Sequence, residues 1–237
     1  MQPGDIIKYV EMTMAEHCNL QRGMNFRIKP KYTIVLMSVR KGSPYSDRVE
    51  DDGETIIYEG HDVQKNYLAD GEYPKEVDQP MCTPSGRLTQ NGMFYEAAQR
   101  HKNQGTSPEL VKVYDKIKDG IWVFNGYFHL VDAWQETDRN RKVFKFKLVT
   151  IDYDDAEVHQ NAQADITGEE LVHARFIPSS VKADVWKRDK GQCVQCGSTE
   201  NLHFDHILPF SKGGTSLSAD NIQLLCMKHN LKKSNKI

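Results

Sequence analysis

Two pairs of soft metal ligands near the carboxyl end constrain this chain more than any other feature. Cys193 and Cys196 are separated by two residues, and so are Cys226 and His229, with Cys226 lying 30 residues after Cys196. This spacing places both side chains of a pair on one turn, and four sulfur and nitrogen ligands suit tetrahedral zinc. Protein side chains would fill all four coordination positions of the zinc, so the zinc is expected to be structural. It would stabilise a C-terminal segment that is too short to bury a large apolar core.

The remaining composition excludes several classes of protein. Five cysteines are an odd and sparse number for 237 residues, which argues against a disulfide framework. Cys18 and Cys82 are expected to be buried or neutral thiols. With 38% hydrophobic and 27% charged residues, the chain is neither collagenous nor largely disordered. No apolar run approaches the ~20 residues of a membrane helix, and residues 1–14 lack a signal-peptide pattern. We therefore expect a cytoplasmic protein with no membrane partner.

Charge is unevenly distributed, although the net charge is only −2. Residues 1–150 carry 21 basic and 21 acidic side chains. Residues 151–180 carry one basic and seven acidic side chains, and residues 181–237 carry nine basic and five acidic ones. An acidic segment thus precedes a basic one, a pattern that indicates nucleic acid as the partner of the basic end. The predicted domains are residues 1–155 and 178–237, joined by an acidic linker at 156–177.

The hydrophobic pattern predicts a β-rich N-terminal domain with one or two helices, and so an α+β fold. A helix is predicted at 91–105, with Phe94, Ala97 and Ala98 on one face and Gly105 as its end. A second helix is predicted at 181–191. Runs typical of strands lie at residues 32–39, 51–60, 111–117, 121–124, 127–134 and 143–149.

A second constellation lies between the two ligand pairs, in LHFDHILPFSKGGTSLSADNIQLL (202–225). Asp205 and His206 end a strand-like run, Asn221 precedes an apolar run, and Asn230 follows the last zinc ligand. With its CxxC and CxxH frame, the segment at about 178–237 resembles the HNH nucleases, which have a ββα-metal fold. The resemblance implies that His206 is the general base and that Asn221 fixes the loop carrying it. It also implies a catalytic divalent cation held by Asp205 and Asn230.

These residue types suit phosphodiester hydrolysis. Mg²⁺ or Mn²⁺ prefers oxygen ligands and keeps several waters, so one carboxylate and one amide oxygen can hold it, while a histidine that titrates near neutrality suits a general base. His203 would share a strand face with Asp205, and we expect it to be structural or adjacent to substrate. Asn221 would also suit the N-cap of a helix in IQLLCMKHN. Lys232 and Lys233 are candidates for contact with backbone phosphate.

The N-terminal domain is similar to the SRA (SET- and RING-associated) family in three ordered segments. These are YEGHDV at 58–63, GRLTQNGMFYEAA at 86–98, and VKVYDKIKDG followed by NGYFHLVDAW within 111–134. The resemblance covers roughly residues 1–150. It implies a PUA-like barrel that binds modified cytosine in DNA by flipping the base into a pocket. The motif residues expected to determine the fold rather than contact DNA are Thr89, Asn91, Gly126 and Trp134.

A flipped base needs aromatic rings on its faces and polar groups at its Watson–Crick edge. Tyr45 and Tyr58 are the candidates for the stacking rings, and Asp47 is the candidate acceptor for the cytosine N4 amino group. Alternatively, Tyr58 is a core residue at a strand end, and Tyr45 and Asp47 are ordinary loop residues. Because the alignment of this segment with the family pattern is uncertain by a residue, Asp51, Asp52 and Glu59 are alternatives to Asp47 as the acceptor.

Together the two resemblances imply a modification-dependent restriction endonuclease of the SRA-HNH type in a prokaryotic cell. It would recognise 5-methylcytosine or 5-hydroxymethylcytosine in double-stranded DNA and cut nearby with Mg²⁺ or Mn²⁺, without an organic cofactor. One HNH site cuts one strand, so a double-strand break implies a homodimer. Two other functions stay open: an HNH nuclease indifferent to modification, and a non-catalytic DNA-binding protein that uses the zinc module as a platform.

Overall fold

The computed structural model describes residues 1–29, 32–38, 45–151, 176–209 and 212–234. It has the predicted α+β class, with a β-rich N-terminal domain and a small C-terminal module. The elements of the N-terminal domain are β1 (Ile6–Lys8), α1 (Tyr9–Glu16), β2 (Met24–Lys29), β3 (Tyr32–Met37), β4 (Arg48–Glu50), β5 (Thr55–Glu59), α2 (Gln90–Gln104), β6 (Glu109–Lys118), β7 (Ile121–Asp138) and β8 (Arg141–Thr150). Those of the C-terminal module are α3 (Ser179–Arg188), β9 (Leu202–His206), β10 (Ile222–Cys226) and α4 (Met227–Ser234).

One sheet organises the N-terminal domain. Its strands run in the order β2-β3-β6-β7-β8-β5-β4, and β1 pairs with β7 beside this path. β3 and β6 are parallel, whereas the other neighbouring strands are antiparallel. The two predicted runs at 121–124 and 127–134 form a single long strand, β7. In the described part of the chain no ladder joins β2 to β4, so the sheet is open at these two edges.

Helix α2 covers one face of the sheet and lies where the sequence predicts it. The Thr89 hydroxyl accepts a hydrogen bond from the backbone N–H of Gly92, which caps the first turn. Gly105 ends the helix in the left-handed conformation, at φ 65°. The helix packs on the larger apolar cluster of the domain. Its buried face carries the three predicted residues, Phe94, Ala97 and Ala98.

A second apolar cluster lies on the other side of the sheet, with α1 packed against it. Glu16 of α1 is fully buried there and forms an ion pair with Lys112 Nζ at 2.5 Å. The Tyr32 hydroxyl donates to the same carboxylate at 2.9 Å, and the Tyr114 hydroxyl donates to it as well. Removing one partner of a buried ion pair leaves the other charge buried and unpaired, which destabilises the fold by about 3–5 kcal/mol. The pair therefore fixes α1 on β6.

The C-terminal module is a strand hairpin flanked by two helices. β9 and β10 pair antiparallel, and α4 follows β10 without a break. The interpretation of Asn221 as the N-cap of a helix is wrong, because the apolar run after it is strand β10 and the helix begins only at Met227. The module packs directly on the N-terminal domain, since Val181 and Phe204 share a buried cluster with Val123 of β7.

Most of the predicted linker lies outside the described residues. Of residues 156–177, only Phe176 and Ile177 are described, and both are buried. Phe176 packs in the apolar cluster beneath α2, and its backbone N–H donates to the carbonyl of Gly53 at 3.1 Å. The chain is thus anchored on the N-terminal domain immediately before the C-terminal module begins. No helix in the described ranges is long and apolar enough to cross a bilayer.

Candidate functional site

The four predicted zinc ligands converge in the C-terminal module. The ligand atoms of Cys193, Cys196, Cys226 and His229 all lie within 4.8 Å of one another. The Sγ atoms of Cys196 and Cys226 are 3.8 Å apart, and His229 Nδ1 lies 3.3 Å and 3.4 Å from the Sγ atoms of Cys193 and Cys226. Tetrahedral ligands at zinc distances of about 2.0–2.3 Å are separated by about 3.3–3.8 Å, so the cluster fits zinc.

Backbone hydrogen bonds prepare the first ligand pair. The loop that carries Cys193 closes through two bonds of 2.8 Å, from Gly197 N–H to the Cys193 carbonyl and from Cys193 N–H to the Ser198 carbonyl. Burial raises the pKa of the Cys193 thiol, but hydrogen bonds from the backbone of Cys226 and Gln195 lower it to about 6. Because the thiolate is the form that ligates metal, the loop favours zinc binding.

Asp205 and His206 lie at the end of β9, beside the loop that leads to β10. His206 Nε2 is 2.9 Å from the hydroxyl of Ser216, which is fully buried. Asn221 spans the same loop. Its side-chain oxygen accepts from the Leu208 N–H at 2.9 Å, and its amide donates to the Leu208 carbonyl at 3.0 Å. These bonds tie the segment after His206 to the start of β10.

Asp205 lies between the strand hairpin and α4. Its Oδ2 accepts from the Gln223 amide at 3.1 Å and forms an ion pair with Lys233 Nζ at 2.5 Å. Lys233 also donates to the backbone carbonyl of His206. The sequence suggested phosphate as the partner of Lys233, whereas the structure places its ammonium on a predicted metal ligand. Asn230 lies one turn before Lys233, on the same face of α4.

The donor types of Asp205 and Asn230 fit a hard divalent cation. A carboxylate from Asp205 and an amide oxygen from Asn230 are ligands of the type that Mg²⁺ and Mn²⁺ accept. Positive charge is already favoured there, because the Lys233 ammonium contacts both the Asp205 carboxylate and a backbone carbonyl. Sequence reasoning missed Ser216 and Gln223, whose roles depend on the strand register and the loop path.

Tyr45, Asp47 and Tyr58 line one cleft of the N-terminal domain, with a volume of about 550 Å³. Sites for small ligands typically measure about 300–1,000 Å³, so the cleft can admit a nucleobase. Tyr58 is only 4% exposed, and its hydroxyl donates to the Leu36 carbonyl at 3.3 Å. Tyr45 is partly buried, and the Lys75 ammonium lies 4.2 Å from its ring centroid. Tyr58 is therefore both a core residue and part of the cleft wall.

Asp47 supplies the carboxylate of this cleft. Its Oδ1 accepts from the Glu59 N–H at 2.8 Å. Burial raises the pKa of Asp47 to about 7, although that hydrogen bond opposes the effect. Among the alternatives, Glu59 is buried in an ion pair with Lys145 at 2.8 Å, and Asp51 is exposed outside the cleft lining. The side chain of Asp52 lies outside the described part of the structure.

Four further residues of the cleft lining were not predicted. They are Tyr9, Arg22, Lys116 and Trp122. Lys116 and Trp122 are cross-strand partners on β6 and β7, and only the strand register reveals that they meet. Arg22 and Lys116 are basic residues of the cleft lining, and the Lys116 ammonium is paired with the Asp119 carboxylate at 2.7 Å.

Residues 193–236 match the sequence model of a family described as HNH endonuclease. The C-terminal module is an HNH domain. The matched range includes the four predicted zinc ligands together with Asp205, His206, Asn221 and Asn230.

Solved structures similar to this chain include SRA domains bound to modified DNA. The SUVH5 SRA domain in complex with hemi-methylated CG DNA is 24% identical, and the match covers 64% of this chain and 89% of that chain with a TM-score of 0.45. The SUVH5 SRA domain bound to fully hydroxymethylated CG DNA is 22% identical over 64% and 89% of the two chains, with a TM-score of 0.44. Arabidopsis thaliana SUVH6 in complex with SAM is 20% identical over 64% and 26%, with a TM-score of 0.38. No curated protein matches the chain.

Proposed function

We propose that this protein is a modification-dependent DNA endonuclease. Its N-terminal domain binds 5-methylcytosine or 5-hydroxymethylcytosine, and its HNH domain hydrolyses a phosphodiester bond nearby. The observation that supports the proposal is the presence, in one chain, of a cleft lined by Tyr45, Asp47 and Tyr58 and an HNH unit with Asp205 and His206 at a strand end. A small nuclease unit has little surface of its own for selecting a target, and the cleft of the N-terminal domain provides that selection.

The cleft suits a base that has left the DNA stack. Tyr45 and Tyr58 offer aromatic surface, and base–aromatic stacking is worth about 1–3 kcal/mol. The Asp47 carboxylate accepts a hydrogen bond from the exocyclic amino group of cytosine and repels the O4 oxygen of thymine. Leu36 and Met37 line the same cleft and offer apolar contact to a substituent at C5. Flipping the base about its backbone brings it to these groups.

In the HNH domain, His206 accepts a proton from the attacking water. The Ser216 hydroxyl orients the imidazole through Nε2, and Asn221 restrains the segment that follows. Asp205 and Asn230 would hold Mg²⁺ or Mn²⁺, which when bound stabilises the negative charge that develops on the phosphate. Lys233 keeps the Asp205 carboxylate turned toward α4.

The remaining features concern assembly and setting. The Cys3His cluster binds zinc as a structural ion, since protein ligands fill all four positions. One HNH centre cuts one strand, and we infer that a double-strand break requires a homodimer. In a prokaryotic cytoplasm such an enzyme would restrict DNA that carries modified cytosine. The chemistry requires no organic cofactor.

The test uses one DNA in three matched forms: unmodified, 5-methylcytosine-bearing and 5-hydroxymethylcytosine-bearing, each with Mg²⁺ or Mn²⁺. The full chain is expected to cut only modified forms, and Tyr45→Ala is expected to lose that preference. Tyr73→Ala is the matched control, because Tyr73 is 64% exposed and does not line the cleft. Equal cutting of all three forms would favour a nuclease indifferent to modification. Binding of modified DNA without cutting by the wild type would favour a non-catalytic DNA-binding protein.

A further inference from the structure

The two domains are joined by more than the chain between them. We propose that residues 2–8, together with a buried polar cluster around Lys182, lock the HNH domain onto the N-terminal domain as one rigid body. The lock sets the distance between the cleft and the nuclease centre. That last consequence rests on the proposed function, whereas the lock itself does not. The residues concerned are positioning residues, since they lie outside both the cleft and the nuclease centre.

The N-terminal segment forms backbone hydrogen bonds with both domains. On one side, Gly4 N–H donates to the Phe124 carbonyl at 2.8 Å, and Phe124 N–H donates to the Asp5 carbonyl at 2.9 Å. On the other side, Phe204 N–H of β9 donates to the Gly4 carbonyl at 3.2 Å. The Asp5 carboxylate also lies 2.6 Å from His203 Nδ1. The segment therefore bridges β7 to the strand that carries the nuclease residues, and His203 has a structural role.

A buried polar cluster holds the first helix of the HNH domain to β6 and β7. Lys182 of α3 is 1% exposed, and its Nζ lies 2.5 Å from Asn125 Oδ1 and 3.4 Å from Asp115 Oδ2. The Ser179 hydroxyl donates to the same Asp115 oxygen at 2.5 Å. Buried charges tolerate few alternative partners, because an unpaired charge in this environment is costly. The cluster thus selects one orientation of α3, where an apolar contact alone would permit sliding.

The docking site of the HNH domain and the cleft are opposite faces of one strand pair. Lys116 and Trp122, paired across β6 and β7, line the cleft. The adjacent pair, Asp115 and Val123, faces the HNH domain, as its contacts with Lys182 and the shared apolar cluster show. Successive residues of a strand point to opposite sides. A base in the cleft and the nuclease centre are therefore separated by a fixed sheet rather than by a hinge.

The experiment breaks the lock without touching either site. One variant is the double substitution Asp115→Asn/Lys182→Met, which removes both charges together and leaves no lone buried charge. The other lacks residues 2–5. The control is Lys187→Met, an exposed lysine on the same helix. Each protein is melted in a calorimeter without DNA. Each is also used to map cuts, at single-nucleotide resolution, on a duplex carrying one modified cytosine.

The wild type and Lys187→Met are expected to melt in one transition and to cut each strand within a window of about one or two phosphates. Both lock variants are expected to melt in two transitions, to bind modified DNA as the wild type does, and to cut over a several-fold wider window. A wild type that melts in two separate transitions would overturn the lock, whether or not it cuts DNA. So would lock variants that melt in one transition and cut at the wild-type positions. If the wild type ignores modification, the proposed function fails, and melting alone decides the lock.

Discussion

The two parts of this molecule are stabilised by different means. The N-terminal domain has two apolar clusters of its own, on the two sides of its sheet. Among the described residues, the C-terminal module has one small cluster of its own, and its members Cys193 and Cys226 belong to the Cys3His group that fits zinc. Its other cluster includes Ile117 and Val123 from the N-terminal domain. We therefore expect the module to depend on a bound metal and on its neighbour, whereas the N-terminal domain contains its own core.

The difference follows from size. A chain of about 60 residues buries a smaller fraction of its surface than one of about 150, so a metal or a partner must supply the remainder. The dependence runs in one direction. We expect that the nuclease can be inactivated while DNA binding persists, but that damage to the N-terminal core also removes one wall of the nuclease module.

Loss of zinc is expected to have the largest effect. Cys226→Ser removes one of four ligands, and structural zinc sites of this type contribute roughly 10–16 kcal/mol of apparent binding energy. We expect complete loss of cleavage and of bound zinc, measured by elemental analysis, with affinity for modified DNA retained. Cys82→Ser, an exposed cysteine outside the cluster, is expected to preserve both activities. Full cleavage by a zinc-free Cys226→Ser protein would contradict a structural role for the metal.

Loss of the general base should separate chemistry from stability. His206→Ala is expected to lower the single-turnover cleavage rate by about 10²–10⁴-fold, the range for a positioned acid–base group. The melting temperature should fall by only a few degrees, because His206 lies outside the buried apolar clusters but its imidazole is bonded to the buried Ser216 hydroxyl. Zinc content and affinity for modified DNA should stay at wild-type values. A similar loss of rate accompanied by loss of bound zinc would instead assign His206 a structural role.

Base preference should depend on the Asp47 carboxylate and not on the zinc module. Asp47 Oδ1 is bonded to the Glu59 N–H, so Asp47→Asn directs its amide nitrogen to the position of Oδ2. That nitrogen would oppose the amino group of cytosine. A specific base contact is worth about 1–3 kcal/mol, so the preference for 5-methylcytosine over thymine at the target position should fall by roughly 5–150-fold in competition binding. Unchanged preference would transfer the role to another residue of the cleft.

The same substitution should change how stability depends on pH. Burial raises the pKa of Asp47 to about 7 in the folded protein, whereas an aspartate in an unfolded chain titrates near 4. The unfolded state therefore loses its proton first, and the wild type loses stability as pH rises from about 4 to about 7. Asp47→Asn lacks this titration. Its melting temperature should exceed that of the wild type by a gap that widens up to about pH 7 and then stays constant, while a gap independent of pH would show that Asp47 is not desolvated.

Features that depend on local sequence patterns were predicted more completely than features that depend on contacts between distant segments. The spacing of Cys193, Cys196, Cys226 and His229 predicted a cluster that the fold brings together. Cap residues and a periodic apolar face predicted α2. The run at 222–226 was misassigned, because a short apolar run suits a buried strand as well as a helix.

Contacts between distant segments left no local signal. Lys233 lies 28 residues from Asp205, and nothing in either segment indicates that their side chains meet. The shared cluster between the domains was hidden for the same reason, since Val123 and Phe204 each look like ordinary strand residues. The first contact follows from how α4 packs beside β9 and the second from how the two domains dock, and neither is encoded in one segment alone.

The smallest predicted effect distinguishes a strained glycine from one that also contacts the other domain. Gly4 and Gly71 both have positive φ angles, of 98° and 88°, so alanine is strained at either position. A Cβ at Gly4 would lie 2.9 Å from the Phe204 carbonyl of β9, whereas a Cβ at Gly71 would have nothing within 4 Å. Because each kcal/mol shifts the melting temperature of a domain this size by about 2–4 °C, we expect Gly4→Ala to melt a few degrees below Gly71→Ala. Equal melting temperatures would mean that the N-terminal segment yields without disturbing β9, and that the buried cluster around Lys182 alone holds the HNH domain in place.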